Sequence, residues 1–192
     1  MAVTAWNALT GDGTGVRPGD TVVVQGSGGV SLFALQFAKA LGARVIATTG
    51  DPARTARLRE LGADAVVDYT AAPTGRRGPR PHRRPGRRPR RRRRRTAPRV
   101  RPRRRPGGTI ACVGFTGRTA PPLDPQALFA SGATVRSVAV GSRAQFTAMN
   151  AFVEKHGLRP VVDRVFPFDR AVDAYRHHAT GRPFGKVVVS HP

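Results

Sequence analysis

The stretch that most constrains this chain is residues 22–31, which read Val-Val-Val-Gln-Gly-Ser-Gly-Gly-Val-Ser. The β-branched run predicts a buried strand, the glycines predict a tight turn, and the apolar pattern that follows predicts a helix. A strand, a glycine turn and a helix N-terminus in this order form a phosphate site, because free N–H groups face the anion. Ser31 stands where the dinucleotide-binding pattern has a third glycine. An ordinary strand-to-helix turn is therefore the alternative.

A second strand at residues 44–49 lies at the distance expected of a βαβ unit, which favours the phosphate site. Further strands are predicted at residues 63–69, 109–114, 133–140 and 185–189. Helices are predicted at residues 4–9, 29–41, 52–61, 125–130, 143–156 and 168–179. Strands that alternate with helices in this way predict an α/β fold, a Rossmann-type doubly wound parallel sheet.

The formal net charge of +23 is concentrated in one segment. Residues 75–105 contain 18 arginines, no lysine and no acid, and the rest of the chain has 16 basic and 11 acidic residues, a net of +5. The Arg/Pro/Gly composition of residues 74–105 predicts disorder. Such a segment would bind nucleic acid non-specifically through phosphates, although no aromatic residue is interleaved for base stacking. A polycationic nucleic-acid-binding protein is therefore the rival hypothesis.

Four regions follow from this organisation. Residues 1–73 form the first half of the Rossmann-type domain, 74–105 the arginine-rich segment, 106–158 the second half, and 159–192 a C-terminal return segment. No stretch is apolar enough to span a membrane, and the N-terminus lacks signal-peptide features, so a cytoplasmic location is expected. The single cysteine, Cys112, excludes an intramolecular disulfide and is predicted to be a buried core thiol.

Six motifs, in their order and spacing, resemble the medium-chain dehydrogenase/reductase superfamily, and most closely its zinc-independent, quinone-reductase-like alcohol dehydrogenase branch. They are Thr-Ala-Trp-Asn-Ala-Leu at 4–9, Arg-Pro-Gly-Asp-Thr-Val at 17–22, Gln-Gly-Ser-Gly-Gly-Val at 25–30, Leu-Gly-Ala-Asp at 61–64, Arg-Pro-Gly-Gly at 105–108 and Phe-Gly-Lys-Val-Val at 184–188. The resemblance implies a nicotinamide-dependent oxidoreductase. It does not identify the small-molecule substrate.

The resemblance also implies where the cofactor binds. The end of strand two, Thr48 and Thr49, carries no acid that would favour NAD by binding the ribose 2′-hydroxyl. Asp51 is better interpreted as a helix cap, and Arg54 stands where the family often has a lysine that faces a 2′-phosphate. NADP is therefore favoured, with NAD as the alternative and a solvated helix arginine as the competing interpretation of Arg54. The residues expected to hold the pyrophosphate are Gly26, Ser27, Gly28, Gly29 and Val30.

The remaining cofactor contacts are also implied by the resemblance. Tyr69 is expected near the adenosine, or else is a core aromatic at a strand end. Residues 184–186 are expected to close over the cofactor. The nicotinamide pocket is expected at Val113, Gly114, Phe115 and Gly141. No catalytic residue is assigned. No metal site and no zinc are expected, because the histidines show no ligand spacing with Cys112. His177 and His178 are expected on or near a helix surface.

Two departures from the family pattern predict an impaired protein. The family's substrate domain would precede Met1, so the chain is expected to be truncated. The arginine-rich segment takes the place of a helix, the fourth strand and a further helix, at roughly the family's length. A homodimer is implied through the sheet edge at residues 133–140, although that edge needs an intact sheet behind it.

The arginine-rich segment is consistent with GC-rich DNA read out of frame, because arginine codons that begin with CG arise across codon boundaries. Read in the other frame, residues 81–89 are compatible with Leu-Thr-Gly-Gly-Arg-Gly-(Val or Ala)-Asp-His. Residues 90–95 become six codons that start with G, such as Val-Val-Asp-Val-Val-Gly. The prediction is a pair of compensating frameshifts near Thr74 and Arg105, with a non-functional gene fragment as the alternative.

Overall fold

The structure is a computed structural model that describes residues 1–13, 15–71, 107–114, 124–180 and 183–191. Helices and strands alternate along these ranges, as the sequence predicts. The helices are α1 (Ala2–Thr10), α2 (Gly29–Ala40), α3 (Thr55–Glu60), α4 (Pro125–Ser131), α5 (Arg143–Lys155) and α6 (Ala171–Ala179). The strands are β1 (Thr21–Gln25), β2 (Arg44–Thr49), β3 (Ala65–Asp68), β4 (Thr109–Cys112), β5 (Thr134–Ser137), β6 (Val162–Pro167) and β7 (Lys186–Ser190).

All strand pairing between the described strands is parallel. β2 lies between β1 and β3, with Val23 opposite Ile46 and Ala47 opposite Val66. β4 pairs with β5, and β6 pairs with β7. Parallel pairs joined by crossover helices confirm the predicted Rossmann-type α/β class, and the order β3–β2–β1 is its first half.

The first sheet and the β4–β5 sheet are separate within the described residues. Apolar side chains on both are accessible to solvent: Val23 of β1 is 58% exposed and Ile110 of β4 is 45% exposed. A valine in the middle of a central parallel strand is normally buried on both faces. The predicted fourth strand would stand between β1 and β4. The arginine-rich segment predicted to replace it lies outside the described residues.

The core is formed where α1, α2 and α5 meet. The Trp6 ring lies 5.5 Å from the Phe37 ring, in an edge-to-face arrangement, and 4.8 Å from the Phe152 ring. Leu35 and Phe37 are fully buried. These two residues lie on different sides of α2, because the helix packs on β1 and β2 as well as on α1. Aromatic pairs at these distances add to the stabilisation that comes from burial alone.

Hydrogen bonds of polar side chains connect α1 to β5 and α5. The Arg136 guanidinium on β5 donates to the Asn7 carbonyl oxygen at 2.7 Å. The Gln145 amide on α5 donates to Asn7 Oδ1 at 3.0 Å, and Asn7 Nδ2 donates to the Val140 carbonyl at 3.0 Å. Helix α1 therefore packs on α2 and α5 through apolar contacts and is tied to β5 through hydrogen bonds.

Two sequence predictions need correction. The strand β6 is absent from the sequence prediction, because Asp163 and Arg164 interrupt the apolar residues of 161–166 and break the period-two pattern. Cys112 is half-buried, not buried, because only one edge of β4 is paired among the described strands. The cap at Asp51 is confirmed: its carboxylate accepts from the Ala53 N–H at 3.1 Å, and Pro52 opens the following 3₁₀ turn.

None of the helices in the described ranges has the length and apolar character needed to cross a membrane.

Replacing Phe37 with alanine should destabilise the chain by about 3–5 kcal/mol, because it removes a fully buried ring at the centre of the aromatic core. Phe129→Ala is the matched control, since that ring is 90% exposed, and it should change stability by less than about 0.5 kcal/mol. Urea denaturation followed by tryptophan fluorescence measures both. Equal losses for the two variants would contradict the assigned core.

Asp64 should make stability depend on pH in the acid range. The Val45 N–H at 2.7 Å and the Lys39 ammonium at 2.9 Å hold the pKa of this carboxyl below its ordinary value. A lowered pKa in the folded state stabilises the fold above the unfolded value of about 4, and this contribution disappears as pH falls further. Asp64→Asn should therefore flatten the decline in thermal midpoint between about pH 4 and pH 2. An unchanged slope would contradict this assignment.

Candidate dinucleotide-binding site

The glycine turn, residues 26–30, connects β1 to α2 at the carboxyl end of the first sheet. Gly26 has φ +76°, a conformation that favours glycine, and its N–H donates to the Thr48 carbonyl at 3.0 Å. Gly28 precedes α2, and no side chain of the described residues caps this helix end. The first N–H groups of α2 therefore face outward without a protein acceptor from a capping side chain, as an anion-binding turn requires.

Two flexible side chains approach Gly29 closely. A Cβ there would lie 2.7 Å from the Met1 sulfur and 3.2 Å from Lys186 Cδ. The backbone of the turn is thus approached closely by the start of β7. At Gly28, by contrast, an added Cβ would meet nothing within 4 Å, so space remains beside the helix N-terminus.

Arg54 follows the carboxyl end of β2, and its side chain reaches the glycine turn. Its guanidinium donates from Nη1 to Ser27 Oγ and from Nε to Asp51 Oδ2 at 3.1 Å. Ser27 is buried, and the Arg54 side chain is only 20% exposed. The competing interpretation, in which Arg54 is a solvated helix arginine, is therefore wrong. The guanidinium is held against the glycine turn.

The end of β2 is shaped by hydrogen bonds within the loop. Thr49 is buried, and its hydroxyl accepts from the Asp51 N–H at 3.0 Å. The Tyr69 ring lies over Gly50, where a Cβ would come within 2.7 Å of the ring carbon Cζ. Tyr69 is 53% exposed, so it is not a core aromatic, and its exposed face borders the loop that carries Arg54.

The structure brings together one group of the predicted residues and places another elsewhere. Bonds or close contacts join the turn, Thr48, Arg54 and the Tyr69 loop at one edge of the first sheet. Val113 and Gly114 follow β4 in the second sheet. Gly141 precedes α5, where a Cβ would meet Val3 Cγ2 at 2.8 Å, so helix packing explains its small size. Phe115 lies outside the described residues.

Sequence reasoning missed a carboxylate next to this site. Asp163 on β6 lies with Oδ2 2.7 Å from His177 Nε2, and Oδ1 accepts from the Phe184 N–H at 2.9 Å. Burial raises the pKa of Asp163, but these hydrogen bonds and the nearby charges of His177 and Arg57 outweigh it and hold the pKa below its ordinary value. His177 lies near the surface of α6, in line with the prediction, and its side chain, 25% exposed, is partly buried against Asp163. The available signal was the charged pair Asp163 and Arg164 between apolar residues.

Within the described ranges, no three His, Cys, Asp or Glu side chains are grouped so that they could hold a metal ion. The expectations that zinc is absent and that the chain belongs to a zinc-independent branch stay predictions.

Solved structures show which class of protein has this fold. A candidate alcohol dehydrogenase from Sinorhizobium meliloti superposes with a TM-score of 0.74 at 30% identity, over 98% of this chain and 55% of that one. An NAD-dependent alcohol dehydrogenase superposes with a TM-score of 0.75 at 29% identity, over 98% of this chain and 56% of that one. The fold is that of the Rossmann-type dehydrogenases.

Sequence comparisons identify the family. Two family models, each described as zinc-binding dehydrogenase, match residues 29–76 and 97–189. A zinc-type alcohol dehydrogenase-like protein of Schizosaccharomyces pombe is 35% identical over 200 residues, which cover 98% of this chain and 57% of the relative. The chain belongs to the medium-chain dehydrogenase/reductase superfamily, and it carries an alcohol-dehydrogenase-like oxidoreductase domain. It spans a little over half the length of the relatives that it matches.

Proposed function

We propose that this chain is the cofactor-binding part of an oxidoreductase that uses NADP in preference to NAD. The observation that carries the proposal is the Arg54 guanidinium, which lies against Ser27 of the glycine turn. It brings a permanent positive charge to the place where the ribose of a bound dinucleotide meets the end of β2.

The glycine turn supports the pyrophosphate part of this proposal. Outward-facing N–H groups at the start of α2 and the positive end of its dipole attract a dianionic group. Lys186, whose side chain lies beside Gly29, adds a second cation at the same place. A nicotinamide dinucleotide bound here would supply or accept the hydride, and these residues would bind and orient it.

The loop after β2 supports NADP over NAD. An NAD site needs a carboxylate that accepts from the ribose 2′-hydroxyl. Asp51 is the first acid after β2, and its two oxygens already accept from the Ala53 N–H and the Arg54 Nε–H. An arginine is well suited to a 2′-phosphate, because its planar guanidinium can donate two parallel hydrogen bonds to the phosphate oxygens.

Arg54→Gln should weaken NADPH binding about tenfold or more and change NADH binding by less than about twofold, because only NADPH carries the 2′-phosphate. Fluorescence titration of the reduced cofactors measures both dissociation constants. Arg44→Gln is the matched control, since Arg44 opens β2 at the opposite end of the sheet and should leave both constants unchanged. An equal loss of NADPH and NADH affinity in Arg54→Gln would contradict the preference. No binding of either cofactor by the unmodified chain would reject the proposed function.

The frameshift hypothesis is a second part of the proposal and would explain the impairment that the sequence predicts. It is supported by the open faces of two sheets, where Val23 and Ile110 are exposed, and by the family models, whose matches leave residues 77–96 between them. In the other reading frame, residues 90–95 become six codons that start with G, such as Val-Val-Asp-Val-Val-Gly, and a valine-rich sequence of this kind suits a buried central strand. Six consecutive arginines could not take that place, because each unpaired buried charge costs several kcal/mol.

A chain in which residues 75–105 carry the sequence of the other reading frame should melt about 5 °C or more above the present chain, since apolar surface on β1 and β4 would be covered. Differential scanning calorimetry measures the midpoint. The control replaces the arginines of the same segment with glutamine, which removes charge without restoring the apolar pattern. An equal gain from the glutamine control would contradict the hypothesis, as would an unbroken arginine-coding frame in independent isolates.

Two expectations about partners stay predictions. β5 pairs with β4 along one edge among the described strands, so the proposed dimer edge at residues 133–140 has no described strand on its other side. The arginine-rich segment that would bind nucleic acid lies outside the described residues.

A further inference from the structure

The glycine turn has a neighbour outside the first sheet, the segment from Phe184 to Lys186 that leads into β7. The Gly185 N–H donates to the Ser27 carbonyl at 3.2 Å, and Gly28 and Gly185 form a parallel bridge. Gly185 has φ +100°, and a side chain there would collide with the Val161 carbonyl. The backbone of this segment is thus confined between β6 and the turn that we propose binds the pyrophosphate.

Asp163 holds this segment from the other side. The register of β6 against β7 shifts between Val162 and Arg164, so Asp163 is the extra residue of a bulge. Bulges commonly redirect a side chain, and this one directs the carboxylate toward the Phe184 N–H, from which Oδ1 accepts at 2.9 Å. Oδ2 lies 2.7 Å from His177 on α6, which fixes the orientation of the carboxylate. The Asp163 side chain is only 18% exposed.

Phe184 connects the same segment to α3, the helix that follows Arg54. Its side chain is 4% exposed and belongs to the main hydrophobic core. The Arg57 guanidinium of α3 lies 4.3 Å above the centre of its ring. Phe184 is therefore held by packing on one side and by the bond to Asp163 on the other, and the Gly185 N–H that follows bonds the Ser27 carbonyl.

We propose that Asp163 is a positioning residue for dinucleotide binding: its carboxylate holds the Phe184 N–H and so keeps Gly185 and Lys186 against the glycine turn. The inference rests on the proposed function, since it assigns a support to that same site. Asp163 acts through the backbone of residues 184–186 and does not itself contact the dinucleotide.

The bond from the Phe184 N–H needs an acceptor oxygen on residue 163, but it does not need a negative charge there. Asparagine can still accept from the Phe184 N–H through its amide oxygen, and its NH₂ group can face His177 in the tautomer that leaves Nε2 unprotonated. Alanine supplies neither group and leaves the buried Phe184 N–H without its acceptor. Alanine should therefore release the segment, and asparagine should keep it in place.

The test compares Asp163→Ala, Asp163→Asn and the control Asp173→Ala in the full chain. Asp173 is an acid of the neighbouring helix α6 that pairs with Arg170 and Arg176. Hydrogen–deuterium exchange is measured without cofactor. Asp163→Ala should raise the exchange rate about tenfold at residues 184–186 and 26–30. The exchange rates of the other two variants should stay within about threefold of those of the unmodified chain. In NADPH titrations the dissociation constant should rise about tenfold for Asp163→Ala only.

Faster exchange spread evenly over α2 and β2 would show a merely structural role and overturn the proposal, as would unchanged exchange at residues 26–30. If Asp163→Ala does not fold, Asp163→Glu is the variant to test, because it keeps the charge but moves the acceptor oxygen by one methylene. If residues 184–186 of Asp163→Glu were as well protected from exchange as those of the unmodified chain, the proposal would be overturned. The exchange measurement needs no ligand. A chain that binds no dinucleotide would therefore reject the proposed function, and the exchange pattern would still show whether Asp163 holds the turn.

Discussion

The parallel pairing of β1 with β2 is the interaction on which the rest of the site depends. It places the Gly26 N–H on the Thr48 carbonyl, so the glycine turn and the loop that carries Arg54 end at the same edge of the sheet. It also gives α2 a surface to pack on, with Phe37 buried beneath Trp6. A shift of this register by one residue would turn every side chain of β2 to the opposite face and would displace the loop that brings Arg54 to Ser27.

Two supports hold the turn from outside the first sheet, and both come from distant parts of the sequence. Arg54 bonds Ser27 Oγ, and Gly185 bonds the Ser27 carbonyl. Ser27 is consequently buried and fixed through both its side chain and its backbone. A turn fixed in this way presents its free N–H groups in one arrangement, which lowers the ordering cost when an anion binds.

The open faces of β1 and β4 contrast with this ordered site. Half-exposed Val23 and Ile110 are residues that a complete parallel sheet buries. The family models match the chain on both sides of residues 77–96, which lie outside the described residues. The packing of α1 on α2 does not depend on the predicted fourth strand, since Trp6, Phe37 and Phe152 contact one another directly.

The sequence by itself determined the local elements: β1 and β2 from β-branched runs, α2 from its apolar spacing, and the cap at Asp51 from Asp-Pro at a helix start. Each depends on neighbouring residues, so pattern and propensity suffice. Tertiary structure alone decided that Arg54 meets Ser27, that Gly141 packs on Val3, and that Asp163 joins His177 to Phe184. These contacts join residues that are far apart in the chain, and a bulge in β6 aims the Asp163 carboxylate, which strand periodicity cannot anticipate.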